Sequence, residues 1–196
     1  THLDITGTAT GPLEDALRLM QDSPLRDLTG DPLAGWQASG DLRGELALGI
    51  PLQAGSPPEV DVRWQTAAAS LRLPQLDLPF QQVSGEFRYQ DGAGLQADNL
   101  QALVLGQRVQ GEIRSHAGSP RIQLAGQHRV EQLREWALLQ PIPADLVSGA
   151  LDWQARVDLL PGEQRIQLAS DLQGVELDLP PPLAKMADQR QASELQ

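Results

Sequence analysis

Three histidines and one pair of adjacent carboxylates are the side chains of this sequence best suited to metal binding or acid–base chemistry. His2, His116 and His128 stand far apart in polar, turn-like surroundings. An imidazole can ligate a metal or carry a proton, but isolated histidines in such places are more simply explained as solvated loop residues. Glu14 and Asp15 could act as general acid and base. At the start of a predicted helix they are better explained as partners of the helix dipole.

The sequence lacks the motifs of the common enzyme classes. It has no nucleophile elbow, phosphate-binding loop or dinucleotide-binding motif, and it contains no cysteine that could act as a nucleophile or metal ligand. A net charge of −11 without a Lys/Arg cluster argues against nucleic acid or an anionic membrane surface as the main partner. We therefore predict a protein that is not an enzyme and that needs no cofactor or metal.

The elements that would position any functional side chain are β-strands with one apolar and one polar face. Apolar and polar residues alternate through Gly149–Pro180 on both sides of a Pro-Gly turn, which is the pattern of a β-hairpin. An earlier stretch matches it. Gly40–Leu48 begins like Gly149–Val157, and Leu71–Pro74 ends like Leu177–Pro180. The sequence thus contains a degenerate repeat of about a hundred residues.

Local signals divide the rest of the chain into short strands. The apolar positions change from even to odd numbers before Leu71, which predicts a bulge or bend near Ala67–Ser70. Asp91-Gly92 predicts a tight hairpin turn. Leu95–Asn99 and Leu103–Gly106 are predicted as two separate strands with a joint at Asn99.

Two short helices and a polar tail complete the predicted architecture. One helix is predicted to open at Gly11-Pro12, with Pro12 at its first helical position, and a second is predicted over Val130–Leu139. The tail Ala187–Gln196 is expected to fray. The fold class is mainly β: an antiparallel meander with two short α-helices. We expect one continuous segment over residues 1–196, with approximate repeat units 1–80 and 81–182 and a polar tail over 183–196.

A sheet with one apolar face must cover that face. A second layer, as in a sandwich or a closed barrel, would do so internally, and a bound ligand would do so from outside. Only two Phe and one Tyr occur, so the face is mainly aliphatic and suits alkyl chains, whereas a sugar-binding jelly roll would need more aromatic side chains. Trp64 and Trp153 lie at apolar positions of the alternation in their strands, where each could be part of a core or line a groove. Both alternatives stay open at this point.

Several stretches resemble a known family. Gly11–Leu17, the Ser-Gly starts at Ser39 and Ser148, Phe80–Tyr89 and Asp171–Lys185 are similar to segments of the AsmA-like bacterial envelope proteins, in particular the YhdP type. The resemblance implies a strongly twisted, open and taco-shaped β-groove. It also implies an interior fragment of a longer periplasmic protein that is anchored in the inner membrane and carries phospholipid between the inner and outer membranes.

The resemblance assigns no catalytic residue and implies that aliphatic side chains on one face of the groove contact phospholipid acyl chains. It further implies open sheet edges through which an isolated fragment could self-associate. The alternative is a structural or scaffolding β-rod, or a sandwich, with a sealed core and no ligand. The predicted lipid-binding residues are Leu46, Leu48, Ile50, Val62, Trp64, Phe87, Val109, Ile113, Leu124, Leu151, Trp153, Val157, Ile166 and Leu168.

Overall fold

The computed structural model describes residues 2–22, 35–51, 59–73, 78–116, 118–134, 146–160 and 163–195. These residues form mainly strands, with two short helices, α1 (Leu13–Asp22) and α2 (Val130–Leu133). The strands are β1 (His2–Pro12), β2 (Gln37–Ser39), β3 (Asp41–Pro51), β4 (Glu59–Leu73), β5 (Leu78–Gln90), β6 (Gly94–Val104), β7 (Gln107–His116), β8 (Ser119–Arg129), β9 (Val147–Leu160), β10 (Glu163–Ser170), β11 (Val175–Leu177) and β12 (Ser193–Leu195).

All of these strands belong to one antiparallel sheet. Its order is β1-β3-β4-β5-β6-β7-β8-β9-β10-β12, while β2 pairs with β4 and β11 pairs with β9. Strands β1 and β12 end this order and do not pair with each other, so the sheet is open. This confirms the predicted fold class of an open, twisted antiparallel meander with two short helices.

The alternation in the sequence gives the sheet two chemically different faces. Paired residues in an antiparallel ladder project to the same side, and the register places Ile5 opposite Leu48 and Leu48 opposite Val60. Arg43 and Gln65, each an odd number of positions from Leu48 and Val60 on the same strands, are paired on the other side. We call the side that carries Ile5, Leu48 and Val60 the apolar face, and the other side the polar face.

The predicted bulge in β4 is confirmed. The pairing of β4 with β5 shifts between Thr66 and Ala69 and again between Ala69 and Leu71. Neighbouring residues of a strand project to opposite faces, so an extra residue at a bulge reverses which positions lie on a given face. Even-numbered Trp64 and odd-numbered Leu71 can therefore both lie on the apolar face.

Strands β5 and β6 carry matching irregularities. The register shifts between Gln81 and Ser84 in β5 and between Ala97 and Leu100 in β6. Asn99 has a φ of 55°, which asparagine tolerates better than most residues. The predicted joint at Asn99 was therefore wrong, because Asn99 is a bulge residue inside one continuous strand. We call the part of the sheet on the Val104 side of these bulges the upper half, and the part on the Ile113 side the lower half.

The helix and turn predictions hold where the structure describes them. Helix α1 begins at Leu13, one residue later than predicted, because Pro12 is the last residue of β1 and is paired with Asp41. Helix α2 begins at Val130 as predicted. The continuation of the second predicted helix beyond residue 134, which includes Trp136, lies outside the described residues, as does the Pro-Gly turn between β9 and β10. The turn at Asp91-Gly92 joins β5 to β6 as predicted.

The prediction of a frayed tail was wrong. Within Ala187–Gln196, the carbonyl oxygen of Ala187 accepts a hydrogen bond from the Gly174 N–H and the Gln191 N–H donates to the carbonyl oxygen of Asp171, both at 2.8 Å. Just before this segment, Lys185 is 3% exposed, and its Nζ donates hydrogen bonds to the carbonyl oxygens of Leu172 (2.7 Å), Val175 (2.7 Å) and Met186 (3.1 Å). Farther along, β12 pairs with β10. A segment of polar composition can be ordered when its backbone groups and a buried ammonium group are hydrogen-bonded.

Candidate functional site

One row of paired residues shows that the apolar face is continuous across the sheet. From β1 through β10, each member is paired with the next, and every member is apolar or glycine. The row consists of Ala9, Gly44, Trp64, Phe87, Ala97, Ile113, Ile122, Val157 and Ile166. The register places all fourteen residues predicted from the sequence on this same face.

Exposure along the apolar face is uneven. Leu3, Ile5 and Leu46 are 47%, 42% and 40% exposed, so large aliphatic side chains face solvent near the β1 edge. Val157 and Leu159 on β9 are only 4% and 2% exposed. The face is thus open at one end of the sheet and closely packed towards the other.

The packed region contains two clusters, one on each side of the bulges. The upper cluster is formed by Leu73, Leu78, Phe80, Val104 and Val109, with Trp36, Leu124 and Trp153 packed against it. The lower cluster is formed by Ala97, Leu100 and Ile113, with Phe87, Leu95 and Ile122 packed against it. The bulges therefore separate two apolar patches on one face.

Glycines allow the packed region to close. A Cβ at Gly111 would stand 2.4 Å from the Gln123 carbonyl oxygen and 2.6 Å from Leu124 Cδ2. A Cβ at Gly126 would stand 3.0 Å from Trp153 Cζ2. Leu124 and Trp153 thus lie directly over the backbone of the neighbouring strands, where any larger residue than glycine would displace them.

The two tryptophans predicted on the apolar face have different surroundings. Trp64 stacks on Phe87, with ring centroids 5.3 Å apart and planes 4° apart. Trp153 instead donates a hydrogen bond of 2.8 Å from Nε1 to Nδ1 of His128, whose Nε2 lies 2.7 Å from the carbonyl oxygen of Val104. Trp64 thus contributes a ring stack, whereas Trp153 takes part in a buried polar network.

The prediction that His128 is a solvated loop residue was wrong. It is 1% exposed and lies on the apolar face of β8, opposite Leu151. Ile122, Leu124, Gly126 and His128 follow one another at a spacing of two, so the alternation continues almost to the end of β8. That extended alternation was the signal in the sequence that could have placed His128 inside the sheet.

The polar face carries ion pairs between strands. Arg88 donates to both carboxylate oxygens of Asp61, at 3.0 and 2.6 Å, and Arg121 Nε donates to Asp158 at 2.5 Å. The hydrogen bond and charge of Arg88 lower the pKa of Asp61 below its usual value. Such pairs stabilise a solvated surface only modestly, and they keep this face polar.

Two shallow hollows of about 950 and 720 Å³ also lie on the polar face. Gln110, Ala125, Gln154 and Ala169 line both of them. Because amide and charged side chains stand in both walls, these hollows suit an alkyl chain less well than the apolar face does. The apolar face, not these hollows, is the candidate site.

Within the described ranges, no group of His, Asp or Glu side chains could hold a metal ion. Glu14 and Asp15 lie in the first turn of α1, and Asp15 pairs with Arg18 at 3.2 Å on the exposed surface. None of the helices of the described chain is long and apolar enough to cross a membrane.

Comparison with known proteins places these features in a family. The YhdP protein family model matches residues 1–196. The chain is 30% identical over 190 residues to the intermembrane phospholipid transporter YhdP of Escherichia coli (strain K12), an alignment that covers 92% of this chain and 14% of that protein. No solved structure shows a significant match. The chain belongs to the YhdP family.

Proposed function

We propose that the apolar face of this sheet binds the acyl chains of phospholipids and forms one stretch of a lipid path between the inner and outer membranes. The parent protein would be anchored in the inner membrane and extend through the periplasm. The observation that carries the proposal is the exposure of Leu3, Ile5 and Leu46 on a face that is apolar across the whole sheet.

The size and chemistry of this face support the proposal. Nine spacings of about 4.8 Å separate the ten strands of the sheet order, so the face extends for about 43 Å along the hydrogen-bonding direction. Removing alkyl surface from water gains about 0.8 kcal/mol for each buried methylene group. Acyl chains would therefore bind along the row of apolar residues, while headgroups would stay in water.

The mechanism needs no covalent step. Lipid would move along the aliphatic side chains because successive positions on the row offer similar apolar contacts, with no strong polar anchor to hold one lipid in place. We further propose that the free edge of β1 pairs with another strand, either of the parent chain or of a second copy in the isolated fragment. The name of the Escherichia coli relative supports the choice of phospholipid as the ligand.

A sealed structural rod is the second candidate function. The burial of Val157 and Leu159 favours it, because side chains that already contact each other leave no room for a ligand. The two candidates predict different behaviour at the open end of the face. Only a lipid path requires the exposed side chains of β1 and β3 to contact lipid.

The test is native mass spectrometry, with lipid extraction, of protein purified from bacteria without detergent. The double variant Ile5→Gln/Leu46→Gln makes the open part of the apolar face polar. The control Thr6→Gln/Ala47→Gln places the same side chains at paired, exposed positions on the polar face of the same strands. We expect bound phospholipid in the wild type and the control, and at least a tenfold loss in the double variant. Absence of phospholipid from all three proteins would support the sealed rod.

A further inference from the structure

His128 is a polar side chain in the packed, otherwise apolar upper half of the sheet. It is 1% exposed, and both ring nitrogens are hydrogen-bonded. An indole N–H can only donate, so Nδ1 of His128 accepts the bond from Trp153. The proton of a neutral ring then lies on Nε2, which donates to the carbonyl oxygen of Val104.

The bond to Val104 joins strands that are not neighbours. Val104 ends β6, His128 lies near the end of β8, and β7 runs between them. Strands two places apart in a flat sheet are separated by about 10 Å, but Cα atoms of β6 and β8 come within 8 Å of each other. The sheet is therefore bent around β7. Because His128 projects from the apolar face, that face lies on the inside of the bend.

The turn before β7 presents the acceptor. Leu105 and Gly106 have φ angles of 47° and 76°, the pair of left-handed residues that makes the tightest β-hairpin turn. Leucine rarely adopts this conformation, and here its side chain packs against the upper cluster. The Val104 carbonyl thus lies at the start of a turn whose Leu105 packs against the upper cluster. Trp153 packs against the same cluster.

We propose that His128 is a clamp that joins β6 to β8 and sets the distance between them, so that the upper half is closed to acyl chains. It is a positioning residue. Lipid then has access to the open face of β1 and β3 but not to the upper half. This inference rests on the proposed function for its consequence, but the clamp itself can be tested without lipid.

The first test measures the distance between the clamped strands. The chain has no cysteine, so Gln101→Cys and Ala125→Cys give a single pair of spin-label sites. Both side chains are exposed on the polar face, and both residues are paired with Gln110 of β7. We expect dipolar broadening of continuous-wave electron paramagnetic resonance spectra, which reports such short distances between two spin labels, to give one narrow distance distribution for the wild type.

Two substitutions of His128 separate the hydrogen bonds from simple packing. His128→Leu fills a similar space without either bond and should broaden and shift the distribution. His128→Gln can accept from Trp153 with its oxygen and donate to Val104 with its amide, so it should restore the narrow distribution. If His128→Leu does not fold, Trp153→Phe breaks only one bond and should broaden the distribution less. A distribution that His128→Leu or Trp153→Phe leaves unchanged would overturn the clamp.

The second test maps lipid contact with a photoreactive, diazirine-labelled phosphatidylethanolamine and peptide mass spectrometry. In the wild type and His128→Gln we expect labelling on β1 and β3 but not at Val104 or Val109. In His128→Leu we expect labelling at Val104 and Val109 to rise at least fivefold. Labelling of these residues in the wild type would contradict a closed upper half. No labelling on β1 or β3 in any variant would count against the proposed function, while the distance measurement would still decide whether His128 holds β6 to β8.

Discussion

The sheet contains two similarly built regions that differ in how completely their apolar faces are covered. The first region consists of β1, α1, β2, β3 and β4, and the second of β8, α2, β9, β10 and β11. Gly40 and Gly149 occupy matching places with φ angles of 114° and 105°. Two residues before these glycines, Ala38 is paired with Leu71, and Val147 is paired with Leu177. The residues that suggested the repeat therefore have the same register in both regions, while the boundaries of the repeat units stay a prediction.

Matching positions carry very different side chains. Gly11 of the first region corresponds to His128 of the second, since each is paired with the leucine two residues after the matching glycine. A Cβ at Gly11 would have no atom within 4 Å, whereas His128 is almost completely buried. Gly44 likewise corresponds to Trp153. The two regions therefore share one register but carry very different side chains at these two matching positions of the apolar face.

The largest expected difference between the regions comes from a buried charge. Val157→Asp should lower the free energy of unfolding by about 3–5 kcal/mol, because the carboxylate would be buried without a partner. Leu46→Asp, at a side chain that is 40% exposed, should cost less than about 1 kcal/mol. Urea unfolding followed by tryptophan fluorescence measures both values. Equal losses would show that the two regions are equally buried.

The next expected difference comes from glycines. Gly111→Ala should cost about 3 kcal/mol, since the methyl group would meet the Gln123 carbonyl oxygen at 2.4 Å. Gly7→Ala, where a Cβ meets nothing within 4 Å, should raise stability by about 0.5 kcal/mol through the lower entropy of the unfolded chain. Thermal and urea unfolding of both variants test the comparison. If Gly111→Ala left the free energy of unfolding unchanged, β7 and β8 would have to move apart enough to accept the methyl group.

The two tryptophans provide a smaller contrast. Trp153→Phe leaves the buried Nδ1 of His128 without a donor and should cost about 1–2 kcal/mol. Trp64→Phe keeps a stacked ring next to Phe87 and should cost less than about 1 kcal/mol. The variants are compared by urea unfolding, and nitrogen NMR of the His128 ring reports the loss of the hydrogen bond directly. A larger loss of stability in Trp64→Phe than in Trp153→Phe would contradict the expected contribution of the His128–Trp153 hydrogen bond.

The smallest effect concerns the polar face of the first region and depends on pH. Arg88 lowers the pKa of Asp61 below the usual 3.8, so this carboxylate stabilises the fold above pH 3.8 and loses that contribution as the pH falls through its lowered pKa. Asp61→Asn should therefore be slightly less stable than the wild type at neutral pH, and the difference should vanish in acid. Urea unfolding between pH 2 and 7 tests this, with the exposed turn variant Asp91→Asn as control. A difference that persists at the lowest pH would exclude the ion pair as its cause.

Much of the apolar face could be predicted because alternation is a local property. A period of two assigns Leu46, Trp64 and Val157 to one side of their strands without knowledge of the partner strands. The change of parity before Leu71 likewise predicts a bulge, because an apolar residue would otherwise face water. Asn99 was misinterpreted because asparagine favours a positive φ in turns and in bulges alike, and only the pairing of β6 with β7 distinguishes them.

The sequence by itself determined the antiparallel meander and the assignment of side chains to an apolar and a polar face. The tertiary structure alone decided which parts of that face are covered, because burial depends on contacts between strands distant in the chain. The approach of β6 and β8 across β7 makes His128 a buried bridge, and the loop around Lys185 orders a polar tail. Neither contact has a local pattern, since each depends on where a backbone carbonyl from another segment lies in space.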